Sequence, residues 1–178
     1  TGRVFQVGSQ QRSEFDLLFL KAVAIVHAGR LGKLTNVRVS NRESPVGGPF
    51  AAQPVPSSLN WDMWLGQAPK VDHIPERFHK TFCWWFEYSG GMMTDWGAHH
   101  LDIAHWGMQM EHTGPVSIDG RGELPSIKNG YNTPEEFEVD MVYPGGLPMQ
   151  LVVKKDERSG ILFEGEKGRI FVSRRTLD

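Results

Sequence analysis

The segment from Asp95 to Trp106 carries the side chains best suited to chemistry. At intervals of four, three and four residues it places Asp95, His99, Asp102 and Trp106. At about 100° per residue, these side chains fall within roughly 60° on one face of a helix. A carboxylate one turn from an imidazole orients the ring and favours its protonated form near neutral pH. The pattern predicts His99 as a general acid–base, with Asp95 and Asp102 beside it.

The same residue types have other interpretations. Asp95 could simply cap the helix, and His99 could be a packed or solvated histidine. The segment also holds residues of metal-binding types, namely His99, His100, Asp102 and His105. His100, however, projects away from the Asp95 and His99 face, and no distant cluster supplies obvious further ligands. A metal site is therefore the weaker interpretation, and no metal is expected.

Neither a nucleophilic site nor a dinucleotide site has a matching pattern. Cys83 lies in a run of aromatic residues without a setting that would lower its pKa, and no serine occupies a G-x-S-x-G elbow. Gly120-x-Gly122 lacks a third glycine and reads as a strand end, not as a strand-to-helix turn. Taken alone, the chain is not expected to hold a dinucleotide in the Rossmann manner.

The composition favours one hydrophobic core and argues against nucleic acid or membrane partners. The chain has 178 residues, 39% of them hydrophobic, and a formal charge of −2. Its lysines and arginines are scattered, and no run approaches the roughly 18 apolar residues that span a bilayer. A lone cysteine fits a reducing, cytoplasmic location. The start at Thr1 has neither an initiator Met nor a signal-peptide layout, so we expect an internal fragment and leave export open.

Hydrophobic spacing predicts the elements of the first half. Apolar residues at three- and four-residue steps predict a helix over 13–28, and alternation predicts a strand over 33–39. Residues 4–7 read as a further strand. Four prolines between residues 44 and 60 predict a long loop that borders the site.

Two aromatic segments precede the chemistry-bearing helix. Residues 60–66 read as a short helical turn, and residues 77–88 crowd six aromatic rings together. These rings either pack in the core or form a platform for a sugar ring. The helix itself is predicted to begin after Gly90-Gly91, with Thr94 or Asp95 as its cap.

The second half is predicted to be a run of strands. Their expected ranges are 116–118, 137–143, 149–154, 160–163 and 169–172. Strands joined by short turns pair antiparallel, and the earlier helices can then cover one side. The predicted fold class is α+β, with an open, mainly antiparallel sheet and helices on one face.

Several motifs together resemble the Gfo/Idh/MocA oxidoreductases. The run Gly90-Gly91-x-x-x-Asp95-x-x-x-His99-x-x-Asp102 is similar to the active-site helix of that family. Four further segments match the family's last Rossmann strand, its G-x-I-G-K turn, its W-x-x-W-L-G-x-A-P segment and a turn of its sheet. They are residues 5–12, 29–33, 61–69 and 164–168. The resemblance covers nearly the whole chain.

The resemblance implies a division of labour between two domains. An upstream Rossmann domain would bind NAD or NADP, with residues 1–28 as its end and the connecting helix. Residues 29–178 would form the substrate-binding and oligomerisation domain. The implied reaction moves a hydride between a sugar or polyol and the nicotinamide, with His99 moving the hydroxyl proton and Asp95 orienting the substrate or the ring. The resemblance also implies a homodimer or homotetramer formed through the sheet.

Other site residues follow from the same resemblance. Gln11 and Arg12 would approach the nicotinamide or substrate. The predicted substrate-binding residues are Asp102, Arg77, His79, Trp84 and Trp85. Cys83 departs from the arginine expected beside the tryptophans, so substrate contacts of close relatives do not transfer directly. Two other functions stay open, an NAD-dependent glycoside hydrolase of the same family and a non-catalytic sugar-binding or assembly module.

Overall fold

Six strands form one open sheet in the order β2-β3-β4-β1-β5-β6. The computed structural model describes residues 2–178. The strands are β1 (Leu34–Asn41), β2 (Ser117–Gly122), β3 (Phe137–Tyr143), β4 (Leu147–Val153), β5 (Gly160–Gly165) and β6 (Gly168–Val172). Only β1 and β4 pair in parallel, and the other four neighbouring pairs are antiparallel. The predicted α+β class with a mainly antiparallel sheet is confirmed.

Three α-helices and several 3₁₀ turns complete the chain. The helices are α1 (Leu18–His27), α2 (Trp61–Leu65) and α3 (Trp96–Met108). The 3₁₀ turns are Gln10–Arg12, Phe15–Leu17, Pro75–Arg77, His79–Trp84, Gly91–Met93 and Pro144–Gly146. Among the described residues, no helix is long and apolar enough to cross a membrane.

One face of the sheet is covered by α1 and α3. The alternating pattern of the strands sends Val37, Leu151 and Phe163 into this layer, where each is fully buried. Gly107 lets α3 come close to the sheet, because a Cβ there would lie 2.5 Å from the ring of Phe163. The helix that carries His99 is thus held rigidly against the sheet by a packed core.

The opposite face of the sheet is polar and carries a continuous set of side-chain contacts. Arg38 donates to Gln150 at 2.7 Å, and Gln150 donates to Asp140 at 2.7 Å. Arg121 then bridges Asp140 and Glu138. The contacts cross β1, β4, β3 and β2, so this face is ordered although none of the helices within residues 2–178 packs on it.

A second, smaller cluster fills the space under the long loops. Trp85, Tyr131 and Ile74 form its buried centre, with Phe50 packed against them. Trp85 donates its indole N–H to the Glu76 carbonyl at 2.9 Å. Loop 44–60 and the ring-rich segment 77–88 are therefore joined by aromatic packing, which was one of the two interpretations of that segment.

One predicted element of the N-terminal region was wrong, and another begins later than predicted. Residues 4–7 form no strand, and Val4 is 98% exposed, because no described strand lies beside them to complete a hydrogen-bond ladder. The helix predicted over 13–28 begins only at Leu18. Phe15, Asp16 and Leu17 have φ values of 58°, 54° and 58°, and this left-handed turn interrupts the helical path. The prediction that residues 1–28 belong to a separate domain stays a prediction, although α1 packs into the core described above.

Candidate functional site

The predicted chemistry-bearing residues line a single cleft of about 600 Å³. Asp95, His99 and Asp102 contribute from α3, and the N-terminal segment forms the facing wall. The other lining residues are Val7, Gly8, Ser9, Gln11, Arg12, Thr94 and Ala98. The helix-face spacing read from the sequence therefore corresponds to a real concave surface.

The start of α3 is fixed by the glycines and the threonine before it. Gly91 has a φ of +62°, and a Cβ there would lie 2.7 Å from the Thr133 side chain, so only glycine fits without displacement. The Thr94 hydroxyl accepts the Gly90 N–H at 2.9 Å and so closes the turn that leads into the helix. Asp95 is the N-cap residue by position, but its side chain accepts no capping hydrogen bond.

Asp95 is thus the N-cap residue as predicted, but its side chain does not make the expected capping hydrogen bond. Thr94 is engaged in the preceding turn, while the Asp95 carboxylate is exposed and lines the cleft. Within residues 2–178, no Lys or Arg forms an ion pair with Asp95. Asp95 is thus available to a substrate or to the neighbouring imidazole, a role that a true N-cap carboxylate could not fill.

Asp102 has a different environment, because it is paired with Arg12. The guanidinium donates from Nε at 2.8 Å and from Nη2 at 2.6 Å to the two carboxylate oxygens. It also donates from Nη1 to Glu111 at 3.0 Å. The hydrogen bond to Asp102, together with that to Glu111, raises the pKa of Arg12 above its usual value. This two-pronged pair neutralises Asp102 and leaves Asp95 as the unpaired carboxylate of the cleft.

The backbone of His99 is held by a buried relay of polar side chains. Gln11, which is 1% exposed, donates from Nε2 to the His99 carbonyl at 3.1 Å. Arg174 donates from Nε to Gln11 Oε1 at 2.8 Å. The Arg174 guanidinium lies between the rings of Trp96 and Phe15, at 4.0 and 4.7 Å from their centroids. Two residues far apart in the sequence thereby fix the position of the proposed general acid–base.

The imidazole ring of His99 is itself half-buried beside the cleft. Within residues 2–178 neither Asp95 nor Asp102 forms a hydrogen bond to it. The predicted orienting contact is therefore not made in this structure, although Asp95 shares the cleft. Catalytic contacts often tighten only when substrate is bound.

The other histidines of α3 point elsewhere. His100 is buried against Phe19 and Trp96, and His105 is hydrogen-bonded through Nε2 to the hydroxyl of Tyr143. In the described part of the chain, no three His, Cys, Asp or Glu side chains are grouped so that they could share a metal ion.

Four predicted substrate-binding residues do not line this cleft. Arg77 is 5% exposed, donates to Glu87 and Tyr88 at 3.1 and 3.2 Å, and lies 3.8 Å from the ring centroid of Trp85. Trp85 is buried in the aromatic cluster. Trp84 packs against both clusters, and His79 is exposed on a 3₁₀ turn. Arg77 and Trp85 make packing contacts in this structure. Their role in substrate binding stays a prediction.

Arg174 and Glu111 were missed by the sequence interpretation. Arg174 lies 163 positions from Gln11 and reaches it only because β6 is the strand nearest to α1. Glu111 follows α3 and contacts Arg12 across 99 positions. Neither residue lies in a motif, and no local spacing indicated these contacts.

A sequence model for the Gfo/Idh/MocA group, described as "Oxidoreductase family, C-terminal alpha/beta domain", matches residues 46–176. The chain belongs to this family. The match includes the whole of α3 and every strand except β1. The resemblance inferred from the Gly90 to Asp102 motif is thereby confirmed.

Solved structures of Gfo/Idh/MocA type share the fold at low sequence identity. Aldose-aldose oxidoreductase from Caulobacter crescentus, complexed with glycerol, gives a TM-score of 0.64 at 16% identity, over 98% of this chain and 42% of that one. The WlbA dehydrogenase from Bordetella pertussis, in complex with NADH and UDP-GlcNAcA, gives 0.61 at 14% identity, over 97% and 45%. A putative myo-inositol dehydrogenase from Sinorhizobium meliloti gives 0.56 at 18% identity, over 94% and 41%.

The chain thus spans less than half the length of these Gfo/Idh/MocA structures. A search of curated proteins found no match. At these identities the structural likeness establishes the fold, whereas the chemistry has to be argued from the cleft itself.

Proposed function

We propose that this domain supplies the substrate side of an NAD(P)-dependent oxidoreductase that acts on a sugar or polyol hydroxyl. The observation that carries the proposal is the cleft of about 600 Å³ in which Asp95 and His99 lie together on α3. Membership of an oxidoreductase family supports the reaction class. The names of the similar structures, which mention an aldose, glycerol, NADH and myo-inositol, support the substrate and cofactor classes.

His99 is the proposed proton acceptor in the oxidation direction. Removing the hydroxyl proton to the imidazole lets the C–O bond become a carbonyl while the hydride leaves the same carbon. A bound nicotinamide supplies the hydride acceptor. In the reduction direction His99 returns the proton to the new hydroxyl. The relay from Arg174 through Gln11 holds the His99 backbone in place for this transfer.

Asp95 and Asp102 have separate proposed roles. The unpaired Asp95 carboxylate can accept a hydrogen bond from a substrate hydroxyl or from the protonated His99 ring. The Arg12–Asp102 pair presents donors and acceptors that are already fixed in direction, as recognition of a polyol requires. We therefore assign Asp95 to stabilising the protonated His99 ring or a substrate hydroxyl, and Asp102 to positioning the substrate.

The hydrogen bonds of Gln11 and Arg12 support placing the main dinucleotide site elsewhere. Both ends of the Gln11 amide are hydrogen-bonded within the protein. The Arg12 guanidinium donates to Asp102 and Glu111. We therefore assign the grip on NAD or NADP to a Rossmann domain outside these residues, and we assign positioning of the cleft to Gln11 and Arg12.

The test measures NAD(P) reduction by the natural polypeptide that carries this chain, against a panel of sugars and polyols. We expect His99→Ala to lower turnover by about 10²–10⁴-fold, the usual loss for a general acid–base. His27→Ala is the matched control, since His27 is an exposed histidine that bonds only the Trp106 carbonyl and lies outside the cleft.

Three outcomes would count against the proposal. Equal turnover in His99→Ala and the wild type would remove His99 from its role. Release of reducing sugar without net NADH would favour a glycoside hydrolase. Tight sugar binding without any turnover would favour a binding or assembly module.

The polar face of the sheet is the proposed contact between copies of the chain. It is ordered by the Arg38, Gln150 and Asp140 contacts, and in the described part of the chain the helices pack on its other side. Light scattering of the natural polypeptide should give the mass of a dimer or tetramer. Val142→Lys, which adds a charge at an exposed apolar position of this face, should lower that mass, whereas a monomeric wild type would contradict the interface.

A further inference from the structure

A second pocket, of about 520 Å³, lies on the other side of the first turn of α3. It is formed where β1 ends, β5 begins and β6 ends. Its lining residues are Arg42, Met92, Trp96, His100, Glu157, Arg158, Ser159, Ser173, Arg174, Arg175 and Thr176. None of these residues lines the His99 cleft, so the two concave surfaces are separate.

The pocket carries an excess of positive charge. Four of its lining residues are arginines, and its single carboxylate, Glu157, is paired with Arg38. Arg158 is paired with Asp178. No ion pair with any of residues 2–178 is formed by the other three arginines, Arg42, Arg174 and Arg175. An arginine-lined concavity with so little opposing charge attracts anions.

A buried polar atom in the pocket wall has no partner. His100 is 1% exposed, and its Nδ1 makes no hydrogen bond within residues 2–178. Burial and the charge of Arg174 lower the pKa of His100 to about 4. A hydrogen bond to the Ser40 backbone acts in the opposite direction but does not offset them. The ring is therefore neutral near pH 7. Nδ1 is therefore a buried polar atom beside the arginines that has no hydrogen-bond partner within residues 2–178.

The floor and the hydroxyl groups of the pocket are preformed. The Ser173 hydroxyl accepts the backbone N–H groups of Arg175 and Thr176 at 3.2 and 3.1 Å, which fixes the turn after β6. The Trp96 ring holds the Arg174 guanidinium from one side. Arg174 and Arg175 are thus presented by a turn that is closed by its own hydrogen bonds.

We propose that this pocket binds a small molecule bearing a phosphate or carboxylate group. Arg42 and Arg175 would hold the oxyanion, since the planar guanidinium matches the geometry of both groups. The pocket volume suits a ligand of metabolite size.

The pocket adjoins the proposed catalytic helix through one residue. Arg174 lines the pocket and also donates to Gln11, which holds the His99 carbonyl. The site is nevertheless proposed independently of the oxidoreductase reaction, because binding can be measured without turnover.

The test is calorimetric titration of the natural polypeptide with inorganic phosphate and, separately, with malonate, at an ionic strength held constant with sodium chloride. We expect saturable binding of at least one of the two anions. Arg42→Gln and Arg175→Gln should each weaken binding about tenfold, as expected for loss of one charge-assisted hydrogen bond. Arg30→Gln is the matched control, since Arg30 is exposed on the turn between α1 and β1 and lines neither concave surface.

Comparison of the two anions identifies the ligand class, and the two arginine variants show whether binding occurs in this pocket. Binding of phosphate alone supports a phosphate ester, and binding of malonate alone supports a carboxylic acid. Binding that neither arginine variant weakens belongs to another site and overturns the proposal, as does the absence of binding by both anions. A change in the ¹⁵N shift of the His100 ring on saturation is expected in the wild-type protein, which needs no destabilising substitution.

Discussion

His99 and His100 are adjacent in the sequence but lie in opposite environments. His99 is half-buried beside a cleft that contains an unpaired carboxylate, whereas His100 is 1% exposed in the wall of an arginine-lined pocket. One residue step turns a side chain by about 100° around a helix, which is enough to move it from solvent to the sheet. The same residue type therefore lines an open cleft at one position and is buried in a wall at the next.

The difference between the two histidines comes from the elements around the helix. The N-terminal segment leaves room beside His99, while the ends of β1, β5 and β6 close around His100. The comparison teaches that the helix face alone does not define a site. Whether a helix face is open depends on which neighbouring strand or segment ends before reaching that face.

The largest expected effects are those of a crossed pair of variants. His99→Ala should lower turnover by about 10²–10⁴-fold and change the free energy of unfolding by less than about 1 kcal/mol. His100→Ala should lower the free energy of unfolding by about 2–4 kcal/mol, because it leaves a cavity in a closed wall. Urea denaturation and the NAD(P) assay on the same samples measure both quantities. Equal changes in turnover and in the free energy of unfolding in the two variants would contradict the difference between the two faces of α3.

The pH dependence of stability should sharpen the contrast. His100 has a folded-state pKa of about 4, below its usual value of 6.5. The unfolded chain therefore takes up a proton first as the pH falls, so stability is full above pH 6.5 and is lost between pH 6.5 and 4. The loss is about 3 kcal/mol at about 1.4 kcal/mol per unit.

Urea denaturation between pH 7 and pH 4 checks this value. His100→Phe keeps a ring beside Phe19 and Trp96 but cannot take a proton, so its stability should fall less over this range. His112→Phe, at an exposed histidine, is the control and should follow the wild type. Parallel curves for wild type and His100→Phe would show that His100 is not the group responsible.

A smaller effect is expected at the ion pair beside His99. Arg12→Lys keeps the charge but loses the two-pronged contact with Asp102. Because both side chains are about one-third exposed, we expect a loss of only about 0.5–1 kcal/mol in stability. The Michaelis constant for the sugar should rise while turnover changes less. A loss as large as that of His100→Ala would mean that the cleft wall is as tightly packed as the pocket wall.

The smallest expected effect is that of Glu111→Gln. Glu111 accepts a hydrogen bond from Nη1 of Arg12, and its side chain is 37% exposed. Stability should change by less than about 0.5 kcal/mol, and the Arg12–Asp102 contact should remain. A shift in the midpoint of urea denaturation comparable with that of Arg12→Lys would instead show that the three charges act as one unit.

Much of the fold could be predicted from the sequence, because the strands of the second half have alternating polarity and short turns. Alternation also located β1, but it could not reveal that β1 pairs in parallel with β4, since local spacing carries no information on distant partners. The strand expected over residues 4–7 failed for the related reason that a strand needs a neighbour. The left-handed turn at Phe15–Leu17 had no signal, as it contains no glycine.

The site was predictable in part for similar reasons. Asp95, His99 and Asp102 share one helix face, and helix periodicity is local, so their common cleft could be predicted. The pairing of Asp102 with Arg12 and the support of His99 by Gln11 depend on the folded sheet. Arg174 lies beyond the reach of any local rule. The aromatic segment 77–88 was open to two interpretations, and burial of Trp85 favours packing for that ring.

The position of β1 at the centre of the sheet also bears on the order of folding during synthesis. Its contact with β4 joins residues 112 positions apart, Arg38 and Gln150, and its other neighbour, β5, lies later still. Contacts this distant form late and slow the folding of a domain. As the chain emerges from the ribosome, β1 therefore has no strand to pair with until more than four-fifths of these residues have been made. During that interval the backbone edges of β1 are open to the edge-to-edge association that the finished sheet prevents.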